Sequence, residues 1–255
     1  MMRTLLVRGM LSGLVAGLLA LVFAYLFGEP PVGQAIDVES AAQAATAETP
    51  EHEHELVSRA VQSTIGLATA ILVYAVAFGG LFSLAFAIAY GRVGRLSARA
   101  TAALLALGGY LVVFVVPFLK YPANPPAVGN PDTISQRTGL YLTMVVASVL
   151  LAAAAAYLGR WLTPRLGAWN AALLASAAFV VAVALVQFLL PAVNEVPEAF
   201  PATVLWDFRV ASLGIQLIIW ATIGLLFGAL VARHLASARA GHKRPLPDST
   251  SNAVN

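Results

Sequence analysis

Five ionisable side chains follow one another at Glu51, His52, Glu53, His54 and Glu55. Imidazole nitrogen together with carboxylate oxygen is a donor set for borderline divalent cations such as cobalt, nickel or zinc. In an extended segment His52 and His54 point one way and the glutamates the other. In a helix Glu51 and Glu55 share a face, while the two histidines diverge by about 200°. Neither geometry closes a coordination sphere, so a tight site needs ligands from elsewhere. The same residues also read as a helix start. Thr49, Pro50 and Glu51 fit N-cap, N1 and N2, with the acids set against the positive end of the helix dipole. That accounts for the glutamates, but not for two histidines from a chain with four.

Two other stretches gather polar groups between apolar runs. KYPANPPAVGNPDTISQRT holds Lys120, Asn124, Asn130, Asp132 and Arg137. PAVNEVPEAFPATVLWDFR holds Asn194, Glu195, Glu198, Asp207 and Arg209. Carboxylates and amides are hard oxygen ligands, and the prolines favour ordered, non-helical connections. Both stretches are therefore candidates for a mouth or lid. The charges equally fit ion pairs at a membrane surface, Asp207 with Arg209 among them. Methionine is too sparse for a thioether pathway, and the chain has no cysteine, which removes disulfides and thiolate chemistry. A nucleotide-binding Gly-x-x-x-x-Gly-Lys-Ser/Thr loop is absent, as are His-Glu-x-x-His and Gly-x-Ser-x-Gly. The chain reads as a non-enzyme, with no tightly bound cofactor expected.

The elements that must carry these groups are apolar. Hydrophobic residues make up 60% of the 255 and charged residues 11%, with a mean hydropathy of +0.82. Soluble domains are about half apolar and a quarter charged. Six runs contain no Asp, Glu, Lys, Arg or His: Gly9–Phe27, Thr64–Tyr90, Ala100–Leu119, Thr138–Gly159, Trp169–Leu190 and Ala211–Ala232. Each can cross a hydrocarbon core of about 30 Å, and in lipid each must be a helix to satisfy its backbone. The expected fold is an all-α, polytopic bundle of six transmembrane helices in residues 1–236, with an acidic outer connection at 28–63. The expected tail at 237–255 is disordered, basic and polar, and can touch anionic lipid. Counting ends and loops alternately, 11 of the 15 basic residues fall on the side of the N-terminus and 4 on the other. The positive-inside rule then places both termini in the cytoplasm of a multi-pass inner (plasma) membrane protein. The first run resembles a signal core but is longer than one, and is expected to be retained.

Gly9, Gly13 and Gly17 repeat every four residues, as do Gly224 and Gly228. Such faces admit close backbone approach, here expected within the chain rather than between copies. The pairs Gly79–Gly80 and Gly108–Gly109 are candidate hinges. Gln187 and Gln216 are the notable polar groups inside the runs, suited to helix–helix hydrogen bonds. Each outer connection begins with proline at a helix exit (Pro30–Pro31, Pro117 and Pro122, Pro191 and Pro197) and closes with Arg59, Arg137 or Arg209. This pattern predicts tandem helical hairpins related about the membrane normal.

Four segments, FGEPP, EHEHE, VPFLKYPANPPAVGNPDTISQRTGLY and LPAVNEVPEAFPATVLWDFRVAS, resemble the CbtA family of predicted cobalt transporter subunits, over about Arg3 to Arg233. The resemblance implies a membrane component importing divalent cobalt for corrinoid synthesis, usually described with five helices. It also implies a small partner, CbtB, with one helix and a histidine-rich end. Carried onto this chain, it points to His52 and His54 as metal contacts, with Glu29 and the two outer motifs at the entrance.

Overall fold

The computed structural model of the chain describes residues 2–45, 58–92 and 96–242. Among them there is no strand, and five helices are long and apolar enough to cross a membrane. These are α1 (Met2–Ala44), α2 (Arg59–Ala89), α3 (Ala98–Lys120), the 59-residue stretch Pro131–Leu189, and a last helix that continues to His242. At about 1.5 Å per residue the fourth is roughly 88 Å long, far beyond one bilayer core. It breaks at Gly167, whose φ of 76° and ψ of 161° lie outside the helical region and suit glycine. The chain doubles back there. Gly159 faces Ala175 across the turn, and Met144 and Val183 share one buried cluster. We call the two arms α4 (134–166) and α5 (168–189), and the last helix α6 (Ala202–His242). All six apolar runs are thus helical, and the difference between five helices and six is the turn at Gly167.

Three sequence expectations are corrected. Pro30 and Pro31 do not end α1, which runs on to Ala44. A π turn at Ala24–Gly28 precedes them, and its wider radius leaves the proline rings room against the preceding carbonyls. Pro117 likewise stays inside α3, behind a π turn at Tyr110–Val115. Between the fourth and fifth apolar runs, residues 160–166 are helical up to the turn itself. Pro191 does follow a helix end, since α5 stops at Leu189. In addition, α6 extends six residues into the stretch read as tail. The Glu51–Glu55 segment and residues 243–255 lie outside the described residues.

The glycine faces are the seams of the bundle. Gly9 and Gly13 lie directly against the backbone of α2 at Gly79 and Ala75, and Gly17 lies against Ala75 and Leu72. On α6, Gly224 and Gly228 meet Ala102, Ala106 and Arg99 of α3. Of the candidate hinge glycines, Gly79 is half of the α1–α2 seam and Gly109 lies against the ring of Trp220, whereas Gly108 has open space where a Cβ would stand. Phe78 meets Trp220 edge-on at 4.8 Å, and Phe82 and Phe86 both meet Phe227 edge-on, a favoured aromatic geometry. Pro117 has no N–H to give the turn before it. Nearby carbonyls are served from other helices: Ser148 of α4 donates to Val112 at 2.6 Å and Gln187 of α5 to Val116 at 2.9 Å.

The seams fix which ends lie together. Met2, Tyr90 and Leu235 surround one cavity, Arg8 donates to the Leu230 carbonyl at 3.1 Å, and Arg160 reaches the Arg92 carbonyl. That end is the basic one. The opposite end holds Glu29, Arg59 and both polar loops. There the outer part of α1 leans on the loops through a second small core of Ala35, Val128, Phe200 and Val204.

Candidate functional site

A cavity of about 440 Å³ opens between the two polar loops and the outer ends of α3, α4 and α6. Five of the residues singled out in the sequence line it: Asn124, Arg137, Asn194, Glu195 and Arg209. Phe114, Phe118, Tyr121 and Tyr141 contribute aromatic rings to its lining.

Local backbone sets the arginines. Asn130 caps a short 3-10 turn by accepting from the Asp132 N–H at 2.9 Å, with Pro131 at its first position. Gly129 has a φ of 119°, a conformation that favours glycine, and a Cβ there would displace the Arg137 guanidinium. Ala127, at φ 66°, is in the left-handed region as well. The tight chain path lets Arg137 donate to the Asn130 carbonyl at 3.1 Å while its Nε stands 3.4 Å from Glu195.

Glu195 ties the loops together. It accepts from the Thr133 hydroxyl at 2.6 Å and the Asn130 N–H at 2.8 Å. The Thr133 bond, then the Asn130 N–H, and more weakly the Arg137 charge hold its carboxyl below the ordinary carboxylate range. In return, Arg209, near the start of α6, donates to Asn124 Oδ1 at 2.9 Å and the Ala123 carbonyl at 3.3 Å in the first loop. Tyr121 donates to the Pro191 carbonyl at 2.9 Å. Each loop therefore receives the arginine of the other hairpin.

The remaining candidates lie elsewhere. Glu29 pairs with Arg59, joining α1 to the start of α2. Asp132 is exposed beside the 3-10 turn. Asp207 does not pair with Arg209; it lines a groove with Pro30, Pro31 and Gln34 of α1. Glu51, His52, Glu53, His54 and Glu55 lie outside the described residues. Sequence reasoning missed Thr133 and the four aromatic residues. A threonine in a turn and aromatics at a membrane edge are too common to mark a site.

Next to the cavity lies a smaller one of about 240 Å³, open to the surface between the helices. The two share Phe114 and Tyr141. Tyr74 and Gln216 face each other there at 3.4–3.5 Å. Gln187 and Gln216 thus serve separate helix pairs. Among the described residues no three His, Asp or Glu side chains gather as a metal site. Two arginines against one glutamate leave the outer cavity with a net positive charge, which repels a bare divalent cation.

The model of the family described as "Probable cobalt transporter subunit (CbtA)" matches residues 2–232. The chain belongs to the CbtA family. Neither a curated protein nor a solved structure matches it. The CbtA match covers all six apolar rods and both polar loops, so the cavity is part of the family's domain. With membership comes the coarse role: a transporter subunit in a membrane, built of several apolar helices.

Proposed function

We propose that the chain is the membrane-embedded subunit of a cobalt uptake system. It collects Co²⁺ on the outer face at His52 and His54, assisted by Glu51, Glu53 and Glu55, and passes the ion inward for corrinoid synthesis. A small single-helix subunit of the CbtB kind acts with it. The observation that carries this reading is the family match over residues 2–232. Charge placement supports the direction: 11 of the 12 acids fall on the side opposite the basic one, so the outer face attracts cations. A membrane potential of about 100 mV contributes roughly 2.3 kcal/mol per charge, near 4.6 for a divalent ion, enough to favour entry without a nucleotide motor.

The test is uptake of radioactive cobalt in cells lacking other importers, expressing the chain alone or with a CbtB-type subunit. Accumulation above vector control that collapses with the membrane potential supports the proposal. No accumulation in either case, at verified membrane expression, refutes it and leaves a non-transporting scaffold or partner-binding subunit.

A further inference from the structure

We propose that the outer cavity is a binding site for an anionic oxygen group, a carboxylate or phosphate, carried on an apolar or aromatic body. Three observations converge on it. The charges do not balance, because Arg137 is matched by Glu195 while Arg209 has only neutral partners, the Asn124 amide and the Ala123 carbonyl. Among the described residues no carboxylate pairs with Arg209, and its Nη1 has no hydrogen-bond partner. A half-buried guanidinium with a free edge is a strong donor to carboxylate or phosphate. Next, the lining combines both chemistries, the polar groups of Arg209, Asn124 and Asn194 with the rings of Phe118, Tyr121 and Tyr141. Finally, about 440 Å³ accommodates a small organic molecule.

Glu195 does not spoil the site, because both its oxygens are already engaged by Thr133, Asn130 and Arg137. A bound anion would bring the cavity from net positive to neutral and remove the repulsion that a divalent cation meets there. That consequence for cobalt rests on the uptake reading; the binding itself does not.

The experiment uses the full chain in lipid nanodiscs, with benzoate as the probe and benzamide as its uncharged isostere. Binding is followed by saturation-transfer NMR, in phosphatidylcholine alone and with phosphatidylglycerol added. Benzoate binding without benzamide binding, weakened at least tenfold in Arg209→Gln, supports a soluble anion as the ligand. No benzoate binding, but phosphatidylglycerol retained in native mass spectrometry and lost in Arg209→Gln, supports a lipid headgroup as the source of the same chemistry. Should Arg209→Gln fail to fold, Arg209→Lys keeps the charge but loses the planar fork, and weaker binding is expected. Equal binding of benzoate and benzamide, or no Arg209-dependent anion of either kind, overturns the proposal.

Discussion

Replacing both His52 and His54 by alanine is expected to leave membrane expression unchanged and to lower cobalt uptake, most at limiting metal. Wild-type capture should also weaken below about pH 6.5, since imidazole must be neutral to ligate, with residual carboxylate affinity persisting down to about pH 4. If the segment serves only as a helix start, the histidine pair will be silent and changes at Thr49 and Glu51 will be the damaging ones. Glu195 gives a second prediction. Its carboxyl titrates lower in the folded chain than in the unfolded one. Its stabilisation is therefore complete above the ordinary carboxylate value of about 4.3 and is lost as pH falls through the lower folded value. Protease sensitivity of the 121–133 and 190–201 loops should be flat from about pH 8 to 5 and rise under stronger acid. Glu195→Gln should raise it at neutral pH and flatten that dependence. An unchanged profile in the variant would show that Glu195 does not hold the loops. At this scale the sequence singled out the arginines, glutamate and amides that line the cavity. It did not pair Arg137 with Glu195 or Arg209 with Asn124, because those contacts cross from one hairpin to the other.

The α1–α2 seam puts backbone against backbone at Gly79, so Gly79→Val should force the helices apart at a cost of about 1–3 kcal/mol. A clear fall in detergent melting temperature is expected. Gly33 has open space where a Cβ would stand, and Gly33→Ala should be neutral or stabilising by up to about 1 kcal/mol. Similar behaviour of the two variants would refute the close seam. Helical character was legible because lipid forbids charge and unpaired backbone along a spanning segment. Helix ends were not. Pro30, Pro31 and Pro117 are ordinarily stop signals, and the π turns that let the helices pass them have no signature in side-chain type. The arginines of 160–165 mimic a loop although that stretch is helical as far as Gly167.

Across the whole molecule, alternation of the rods brings Met2 and Leu235 to one end, the end where Arg3, Arg8, Arg92, Arg99, Arg160, Arg165 and Arg233 also lie. Reporter fusions after Arg95 and after Asp132 should therefore mark opposite sides of the membrane, with the first cytoplasmic. The same side for both would overturn the topology. The overall architecture was readable because charge and hydropathy are properties of long segments. The cavity was not, since it exists only where four separate segments meet.

A π turn also records how a helix tolerates a change of length. It holds one residue more than an α turn, while the rods before and after it keep the mutual orientation of an uninterrupted helix. In α2 the turn at Gln62–Gly66 is followed by no proline, so deletion of Thr64 should relax it to a plain α turn with Arg59 still reaching Glu29. Deletion of Phe27 should not be absorbed, because closing the turn at Ala24–Gly28 presses Pro30 and Pro31 onto the carbonyls behind them. Folded yield of the two deletions separates these cases: near wild-type for the first and poor for the second. Length variants of this fold should accordingly collect at the α2 turn and spare the one in α1.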